Sequence, residues 1–292
     1  MPTLKDIRRR IDSVAKTQQI TRAMRMVAGA KLRRAQEAIE SARPYAERMR
    51  ATLAEVAASQ REAEHPLLVP REQVSKVEFV VVSSDRGLCG AFNSSVYKHA
   101  EPLVAERLAA GQAVTLSTAG RKIRDLYRRY RPELIGASYP QEGWVAFGQA
   151  AEIAADASQR FIDGEVDEVV LVYNEFVSTM TQRPTEVRLL PLAGTPESEP
   201  ADSEDKQELP YEIEPSAQVL LRTLVPRALE VEIYRALLEN QAGEHAARMT
   251  AMEAATRNTE ELIESLTLQF NRARQAAITK ELMEIVSGAE AL

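Results

Sequence analysis

The residues with the clearest potential for chemistry lie in a glycine-containing loop, Asp85-Arg86-Gly87-Leu88-Cys89-Gly90. The loop follows a strongly β-prone segment, Val77 to Ser83, and precedes a predicted helix, and open α/β sheets bind their ligands at such junctions. It fits neither G-x-G-x-x-G nor the Walker motif, and it lacks the lysine that holds phosphate. We therefore interpret it as a tight turn in which Gly87 and Gly90 supply unusual backbone angles.

Other reactive side chains do not form a pattern. Cys89 would need a histidine nearby to act as a nucleophile, and His99 lies ten residues further on, in a predicted helix. The three histidines, His65, His99 and His245, fall in different predicted elements and do not have metal-ligand spacing. The sequence therefore predicts no catalytic residue, no cofactor and no metal site. A small-molecule enzyme with a pocket beside Asp85 stays open as an alternative.

A basic segment near the N-terminus offers a second alternative, a coiled-coil adaptor for nucleic acid. Arg8-Arg9-Arg10, Lys31, Arg33 and Arg34 could contact phosphates. However, aromatic residues are not interleaved with them, and the 292-residue chain has a net charge of -6. A basic helix that faces solvent or another protein is the favoured interpretation.

The sequence at each end of the chain predicts one long helix. Thr3 is a suitable cap for the first helix, with Asp6 at its positive end, and the helix continues to about Ser59. Pro44 could kink or break it, and Pro226 could do the same to the second helix, which begins near Ser216. At ~1.5 Å per residue the two helices would measure ~80 and ~95 Å.

The two helices have apolar seams of coiled-coil spacing and opposite charge, which predicts that they pair with each other. Residues 1–50 hold 13 Lys/Arg against 5 Asp/Glu, and residues 227–292 hold 7 against 11. The predicted seam of the first helix is interrupted at residues 16–19 and comprises Leu4, Ile7, Ile11, Val14, Ile20, Met24, Val27, Leu32, Ala35 and Ile39. That of the second includes Met249, Met252, Leu262, Leu266, Phe270, Ala273, Ala277, Leu282 and Ile285.

The middle of the chain predicts an α/β body with a mostly parallel, Rossmann-like sheet, because strands alternate with helices of ten or more residues. The strands are predicted at 77–83, 113–118, 134–138, 166–174 and, at an edge, 185–190, and the helices at 93–109, 120–130 and 146–162. The predicted domains are residues 1–60, 75–192, 193–213 and 214–292. Residues 194–210, rich in proline and acid, predict a loop. No apolar run reaches the roughly 20 residues of a membrane helix.

Three segments resemble the gamma subunit of the F-type rotary ATP synthase, in its bacterial form. They are Ile20 to Ala28, the loop Asp85 to Gly90, and Ile278 to Ala289; Glu239-Asn240 and Glu244 to Met252 extend the resemblance. It runs from Leu4 to the C-terminus, with the segments in the family's order.

The resemblance implies a central rotor shaft that is not catalytic itself and whose two long terminal helices form an antiparallel coiled coil. Such a shaft couples proton flow through the membrane ring of c subunits to ATP synthesis or hydrolysis at a hexamer of three alpha and three beta subunits, and it regulates both ATPase activity and proton flow. It also implies contact with the epsilon subunit, but neither nucleic-acid binding nor insertion into the membrane.

The resemblance also implies roles for individual residues. Met24 and Arg25 would lie near the moving beta loops. The set that would bond inside the hexamer is Arg248, Gln275, Thr279, Glu281 and Glu284. Residues 285–292 would be the tip in an apolar bearing, and Tyr211 and Glu212 would lie in a foot near the membrane ring and epsilon.

Three departures refine the expectation. The acidic 194–210 segment matches no family motif, and the paired cysteines of the redox-regulated chloroplast form are missing, because Cys89 is the single cysteine. No transit peptide precedes Leu4. The expected location is therefore the cytoplasmic face of a bacterial inner membrane, as a peripheral protein.

Overall fold

A computed structural model describes residues 3–59, 65–192 and 216–290 of the chain. Contacts divide the chain into two compact units, one formed by Met1–Ala30 with Arg248–Leu292 and the other by Lys31–Ala247. Both boundaries fall inside the long terminal helices, so each of these helices contributes to both units.

The terminal helices are α1, Leu4–Ser59, and α5, Ala217–Glu290. Thr3 starts α1: its hydroxyl accepts a hydrogen bond from the Asp6 backbone N–H at 3.3 Å, and Asp6 Oδ2 accepts one from the Thr3 N–H at 3.1 Å. The bonds from Thr3 lower the pKa of Asp6. Pro44 and Pro226 lie within the helices, which continue past both. Neither proline therefore ends a helix.

The body is an α/β domain with a five-stranded sheet. The strands are β1 Lys76–Val82, β2 Ala113–Ala119, β3 Ile135–Tyr139, β4 Glu168–Phe176 and β5 Gln182–Leu190, and the helices between them are α2 Phe92–Ala109, α3 Arg121–Tyr130 and α4 Phe147–Ile162. The strand order is β3-β2-β1-β4-β5; all pairs are parallel except β4 with β5. The predicted mostly parallel sheet is confirmed, with β5 as an antiparallel edge strand.

Both faces of the sheet are buried, because successive strand residues point to opposite sides. On β1, Val77, Phe79 and Val81 pack with α2 and α3. Val80 and Val82 pack in the opposite core, together with α4 and with residues of α1 and α5 that lie in the same unit. The terminal helices thus supply part of the body's own core.

A charged pair lies within this second core. Glu78 on β1 is fully buried, and its carboxylate accepts hydrogen bonds from Arg160 Nε at 3.0 Å and Nη2 at 2.6 Å. Ser117 on β2 donates a further short bond to Glu78. Although burial opposes it, the hydrogen bonds and charge of Glu78 raise the pKa of Arg160. A fork of two parallel bonds is the strongest geometry for an Arg–carboxylate pair.

Candidate functional site

Within the smaller unit, the first part of α1 pairs with the last part of α5 in antiparallel orientation. The Thr21 and Thr256 hydroxyls are hydrogen-bonded at 2.9 Å, and Arg25 Nη1 lies 3.8 Å from Glu253 Oε1. A Cβ placed on Gly29 would lie 3.3 Å from the Met249 sulfur. As the position in α1 rises from 21 to 29, its partner in α5 falls from 256 to 249. The predicted antiparallel coiled coil is therefore confirmed.

The seam of this coiled coil keeps an unbroken 3-4 spacing on both helices. The buried or half-buried positions that follow this spacing on α1 are Leu4, Ile7, Ile11, Val14, Gln18, Thr21, Arg25 and Ala28. On α5 they are Met249, Met252, Thr256, Thr259, Ile263, Leu266, Phe270, Ala273 and Ala277. Such a spacing keeps one face of each helix turned toward the other along the whole pair.

The structure corrects several predicted seam positions. The seam is not interrupted at residues 16–19, since Gln18 continues it. Ile20 and Val27, predicted on the seam, are 60% and 57% exposed, and Leu262 is 39% exposed beside the seam residue Ile263. The predicted positions Leu282 and Ile285 are also exposed, at 57% and 67%. Helix geometry determines which face of each helix meets its partner. Polar residues on that face are therefore buried in the seam, whereas apolar residues on other faces stay exposed.

An exposed apolar stripe results on α1. Ile20, Met24 and Val27 recur at i, i+4 and i+7, which places them on one helix face. Met24 is half-buried, whereas the other two side chains are more than half exposed. Exposed apolar stripes on a helix mark surfaces that bind other proteins.

The last turns of α5 are the most exposed part of this unit. All side chains described from Ile278 onward are exposed, among them the apolar group Ile278, Leu282, Met283, Ile285 and Val286. When the pairing of residues 21–29 with 256–249 is extended along both helices, Leu4 of α1 lies opposite Ala273 of α5. Residues 278–290 of α5 therefore continue ~20 Å past the first turn of α1. No described part of the chain covers the apolar side chains of this C-terminal segment.

The other predicted hexamer contacts lie on the same unit. Arg25 and Arg248 are half-buried, whereas Gln275, Thr279 and Glu281 are exposed on α5. Glu284 lies in α5, but its side chain is outside the described residues. Tyr211, Glu212 and the acidic segment 194–210 also lie outside the described residues.

A polar layer within the coiled coil was not predicted from the sequence. Thr21 and Thr256 bond each other across the seam, and each hydroxyl also contacts a carbonyl of its own helix, on Gln18 and Met252 respectively. Extending the spacing of Leu4, Ile7, Ile11 and Val14 by further 3-4 steps leads to Thr21 and would have identified it.

The glycine-containing loop is a structural turn. Asp85 Oδ1 accepts hydrogen bonds from the backbone N–H groups of Arg121, at 2.7 Å, and Gln141, at 3.2 Å. This carboxylate therefore caps the first residue of α3. Two residues of this loop have a positive φ, Gly90 at 58° and Leu88 at 63°. Gly87, which was predicted to have an unusual backbone angle, is not one of them.

The chain's own helix occupies the edge of the sheet where an α/β enzyme would hold a ligand. Asn240 of α5 donates a hydrogen bond from Nδ2 to the Ser83 carbonyl at 3.2 Å. At Gly243, a Cβ would come within 2.9 Å of the Phe92 ring. Close helix contact at this edge supports the structural interpretation of the Asp85 turn over the enzymatic one.

Among the residues that the structure describes, no group of three or more His, Cys, Asp or Glu is arranged to hold a metal ion. None of the described helices combines the length and the apolar character needed to cross a bilayer.

Sequence comparison relates nearly the whole chain to known proteins. A family model described as ATP synthase matches residues 3–292. The ATP synthase gamma chain of Anaeromyxobacter sp. (strain Fw109-5) is 49% identical over 295 aligned residues, and that of Pelotomaculum thermopropionicum is 47% identical over 294. Each comparison covers 100% of both chains.

Solved structures show the same fold. A chain from the central stalk and c-ring structure of Tetrahymena thermophila mitochondrial ATP synthase is 26% identical, with a TM-score of 0.61; the match covers 81% of this chain and 99% of that one. A chain from the Euglena gracilis mitochondrial ATP synthase, 17% identical, has a TM-score of 0.68 with 99% and 94% coverage. Full-length identity near one half, together with this fold, makes the chain a member of the ATP synthase gamma chain family.

Proposed function

We propose that this chain is the central rotor shaft of a bacterial F-type ATP synthase. It couples proton flow through a membrane rotor ring to ATP synthesis or hydrolysis in a hexamer of alpha and beta subunits. The observation that carries the proposal is the antiparallel helix pair with its exposed apolar C-terminal segment. Relatives that are ATP synthase gamma chains, and structures described as the central stalk or the rotor of mitochondrial ATP synthases, support it.

The faces of the coiled coil differ, as coupling requires. A ligand or subunit biases one conformation over another only through contacts that differ between the two states. The stripe Ile20, Met24 and Val27 makes one side of α1 apolar, whereas the seam lies on another side. A shaft with unlike faces presents a different surface to each of three surrounding catalytic sites.

Charged contacts on such a shaft would be weak. The Arg25–Glu253 pair illustrates this, since its side chains are 43% and 51% exposed. Exposed ion pairs contribute about 0–1 kcal/mol and are screened by salt. Weak polar contacts suit a surface that slides past its partners, whereas tight ones would hold one rotational position.

The partners in this proposal are three alpha and three beta subunits, the epsilon subunit and the ring of c subunits. The hexamer contacts are Met24, Arg25, Arg248, Gln275, Thr279, Glu281 and Glu284, with residues 285–292 as the tip in an apolar bearing. Tyr211 and Glu212 face the ring and epsilon. The chain is peripheral, on the cytoplasmic face of the inner membrane, and the catalytic residues belong to the beta subunits.

Reconstitution with alpha and beta subunits tests the proposal. We expect the hexamer alone to be a poor ATPase, and addition of this chain to raise turnover and to rotate a bead. The bead is attached at Glu106→Cys in a Cys89→Ser background, because Glu106 is exposed on α2 and Cys89 is buried. Failure of the chain to bind any alpha/beta assembly would overturn the proposal.

A further inference from the structure

The loop of residues 140–146 connects β3 with α4, and we call it the strap. It carries Trp144, the single tryptophan of the chain. The strap and the residues of α1 and α5 that it contacts all belong to the larger unit. Trp144 is half-buried, so its large ring packs against other parts of this unit.

Trp144 contacts both terminal helices. Arg34 of α1 places its guanidinium carbon 4.3 Å from the centre of the indole ring. His245 of α5 meets the same indole edge to face, with ring centroids 5.9 Å apart and an interplanar angle of 70°. Arg34 takes part in no ion pair with the residues that the structure describes, so its charge is directed to the indole alone. Trp provides the most favourable ring for such a cation–π contact.

Gln241 of α5 binds the backbone of the strap on either side of Trp144. Its Nε2 donates a hydrogen bond to the Gly143 carbonyl at 3.0 Å, and its Oε1 accepts one from the Val145 N–H at 3.5 Å. The side-chain amide thus pairs with the strap in the way that one residue of a parallel strand would. These two bonds hold the backbone that carries the indole against α5.

The first half of the strap is attached to the Asp85 turn and to α3. The Gln141 N–H donates a hydrogen bond to Asp85 Oδ1 at 3.2 Å. Arg121, the first residue of α3, forms an ion pair with Glu142. The strap therefore joins four parts of the body, namely α1, α5, α3 and the turn that follows β1.

The strap holds α1 from a side that the apolar core does not reach. Leu32, Ala35 and Ile39 are buried and form the stripe by which this part of α1 packs in the body. Arg34 is exposed and points roughly 130° away from the centre of that stripe, at about 100° per residue. A helix held along one stripe can roll about its axis, and a second contact at a different angle prevents this.

The contacts of the strap with the terminal helices can open while the core stays folded. They comprise a cation–π contact, an edge-to-face ring pair and two neutral hydrogen bonds, each of which is weak by itself. Buried apolar stripes such as that of Leu32 are instead lost in global unfolding. The strap therefore has the properties of a contact that opens and closes locally.

We propose that the strap is a latch that fixes the rotation of α1 relative to α5, with Trp144 as its positioning residue. Closed, it links the two helices through Arg34 and His245. Open, it leaves α1 held along one stripe. Its role under load rests on the proposed rotor function: Arg34 and His245 lie within four residues of Lys31 and Ala247, the ends of the larger unit, where the shaft helices need a fixed relation.

Two probes report opening of the latch in the isolated full chain, namely hydrogen exchange of the Val145 amide and acrylamide quenching of Trp144 fluorescence. Arg34→Met removes the charge and keeps an apolar stem. We expect it to raise the opening equilibrium about twofold to fivefold, the contribution of a cation–π contact at an exposed site. The increase should appear at both probes, although Val145 bonds to the other helix, because the latch opens as a unit.

Arg33→Met is the matched control, since Arg33 is the exposed neighbour of Arg34 on α1. It should change either probe by less than about twofold. Gln241→Met removes both backbone bonds and should raise the opening seen at Trp144 by about tenfold. Equal exchange of the Val145 amide in Arg34→Met and Arg33→Met would overturn the latch, because the two sides of the strap would then move independently.

The role under load is tested in the reconstituted complex, with the bead at Glu106→Cys in the Cys89→Ser background. Arg34→Met should widen the angular spread of the bead during pauses and leave ATP turnover unchanged, whereas Arg33→Met should alter neither. An unchanged spread in Arg34→Met would overturn the role under load. If the unmodified chain binds no alpha/beta assembly, the rotor function fails, and the exchange measurements on the isolated chain still decide whether the latch exists.

Discussion

The stability of the domain depends on keeping Glu78 and Arg160 together as a pair. The Glu78 side chain is fully buried and the Arg160 side chain is 23% exposed. Because charges that leave water lose hydration, such a pair adds little net stability over apolar residues of the same size. Removing one partner alone leaves a buried charge without compensation, and that is the costly change.

We therefore expect Arg160→Met to lower the free energy of unfolding by about 3–5 kcal/mol. Urea unfolding followed by circular dichroism measures it. Arg124→Met is the control, since Arg124 pairs at 3.0 Å with Asp125, whose side chain is 55% exposed, and its loss should cost at most about 1 kcal/mol. Equal effects of the two variants would contradict the role given to the buried pair. The double variant Glu78→Leu with Arg160→Met should recover much of the loss.

Gly243 permits the close approach of α5 to the start of α2. Its missing side chain leaves room for the Phe92 ring and the Gln182 stem, which a Cβ would meet at 2.9 and 3.3 Å. Phe92 is only 4% exposed, so its ring cannot move into solvent without disturbing the core.

Gly243→Ala should therefore destabilise the body by about 1–3 kcal/mol, the usual cost of overpacking. Thermal or urea unfolding provides the measurement. Gly148→Ala is a matched control inside α4, where a new Cβ meets nothing within 4 Å. That change should be neutral or should stabilise by up to about 1 kcal/mol, because alanine favours helix. Stabilisation by Gly243→Ala would show that the contact is looser than the structure indicates.

At the level of elements, the position of a residue relative to the seam decides whether it contributes to the stability of the coiled coil. Leu266 and Leu268 have the same side chain and lie on the same helix, yet they are 4% and 60% exposed. The difference arises because only Leu266 continues the 3-4 spacing that faces α1.

Leu266→Ala should cost about 2–5 kcal/mol of coiled-coil stability, because it leaves a cavity in the seam. Leu268→Ala should change stability by less than about 0.5 kcal/mol. Hydrogen exchange of the α1 amides between Leu4 and Val14 reports the local opening free energy. Similar exchange rates in the two variants would contradict the observed seam.

For the whole molecule, stability and function should depend on different parts of α5. The apolar side chains of the C-terminal segment are exposed, so they contribute little to the fold of the isolated chain. If this segment turns in an apolar bearing, its side chains act only in the assembled complex.

The double variant Leu282→Ser with Ile285→Ser should leave the isolated chain's unfolding free energy within about 0.5 kcal/mol of the original. In the reconstituted complex we expect lower torque on the attached bead, because apolar contact with the bearing is lost. Leu268→Ser, equally exposed but in the paired stretch of α5, serves as the control and should retain torque. Full torque in the double variant would exclude the bearing role.

The sequence alone determined the kinds of elements and their order. The runs that became β1 and β4 are rich in valine, and their composition indicates strands buried on both faces. The heptads beginning at Leu4 predicted a coiled coil, and the segments near both ends were specific enough to identify the family. These signals are local, so neighbouring residues suffice to produce them.

Only the tertiary structure decided which residues lie in contact. Ile20 and Val27 are apolar and were expected in the seam, but the partner helix meets Thr21 and Ala28 instead, since helix phase outweighs single-residue hydrophobicity. The Asp85 carboxylate that caps α3 and the bond from Asn240 to the Ser83 carbonyl join elements far apart in sequence. No local pattern contains such contacts, because the chain must fold before they exist.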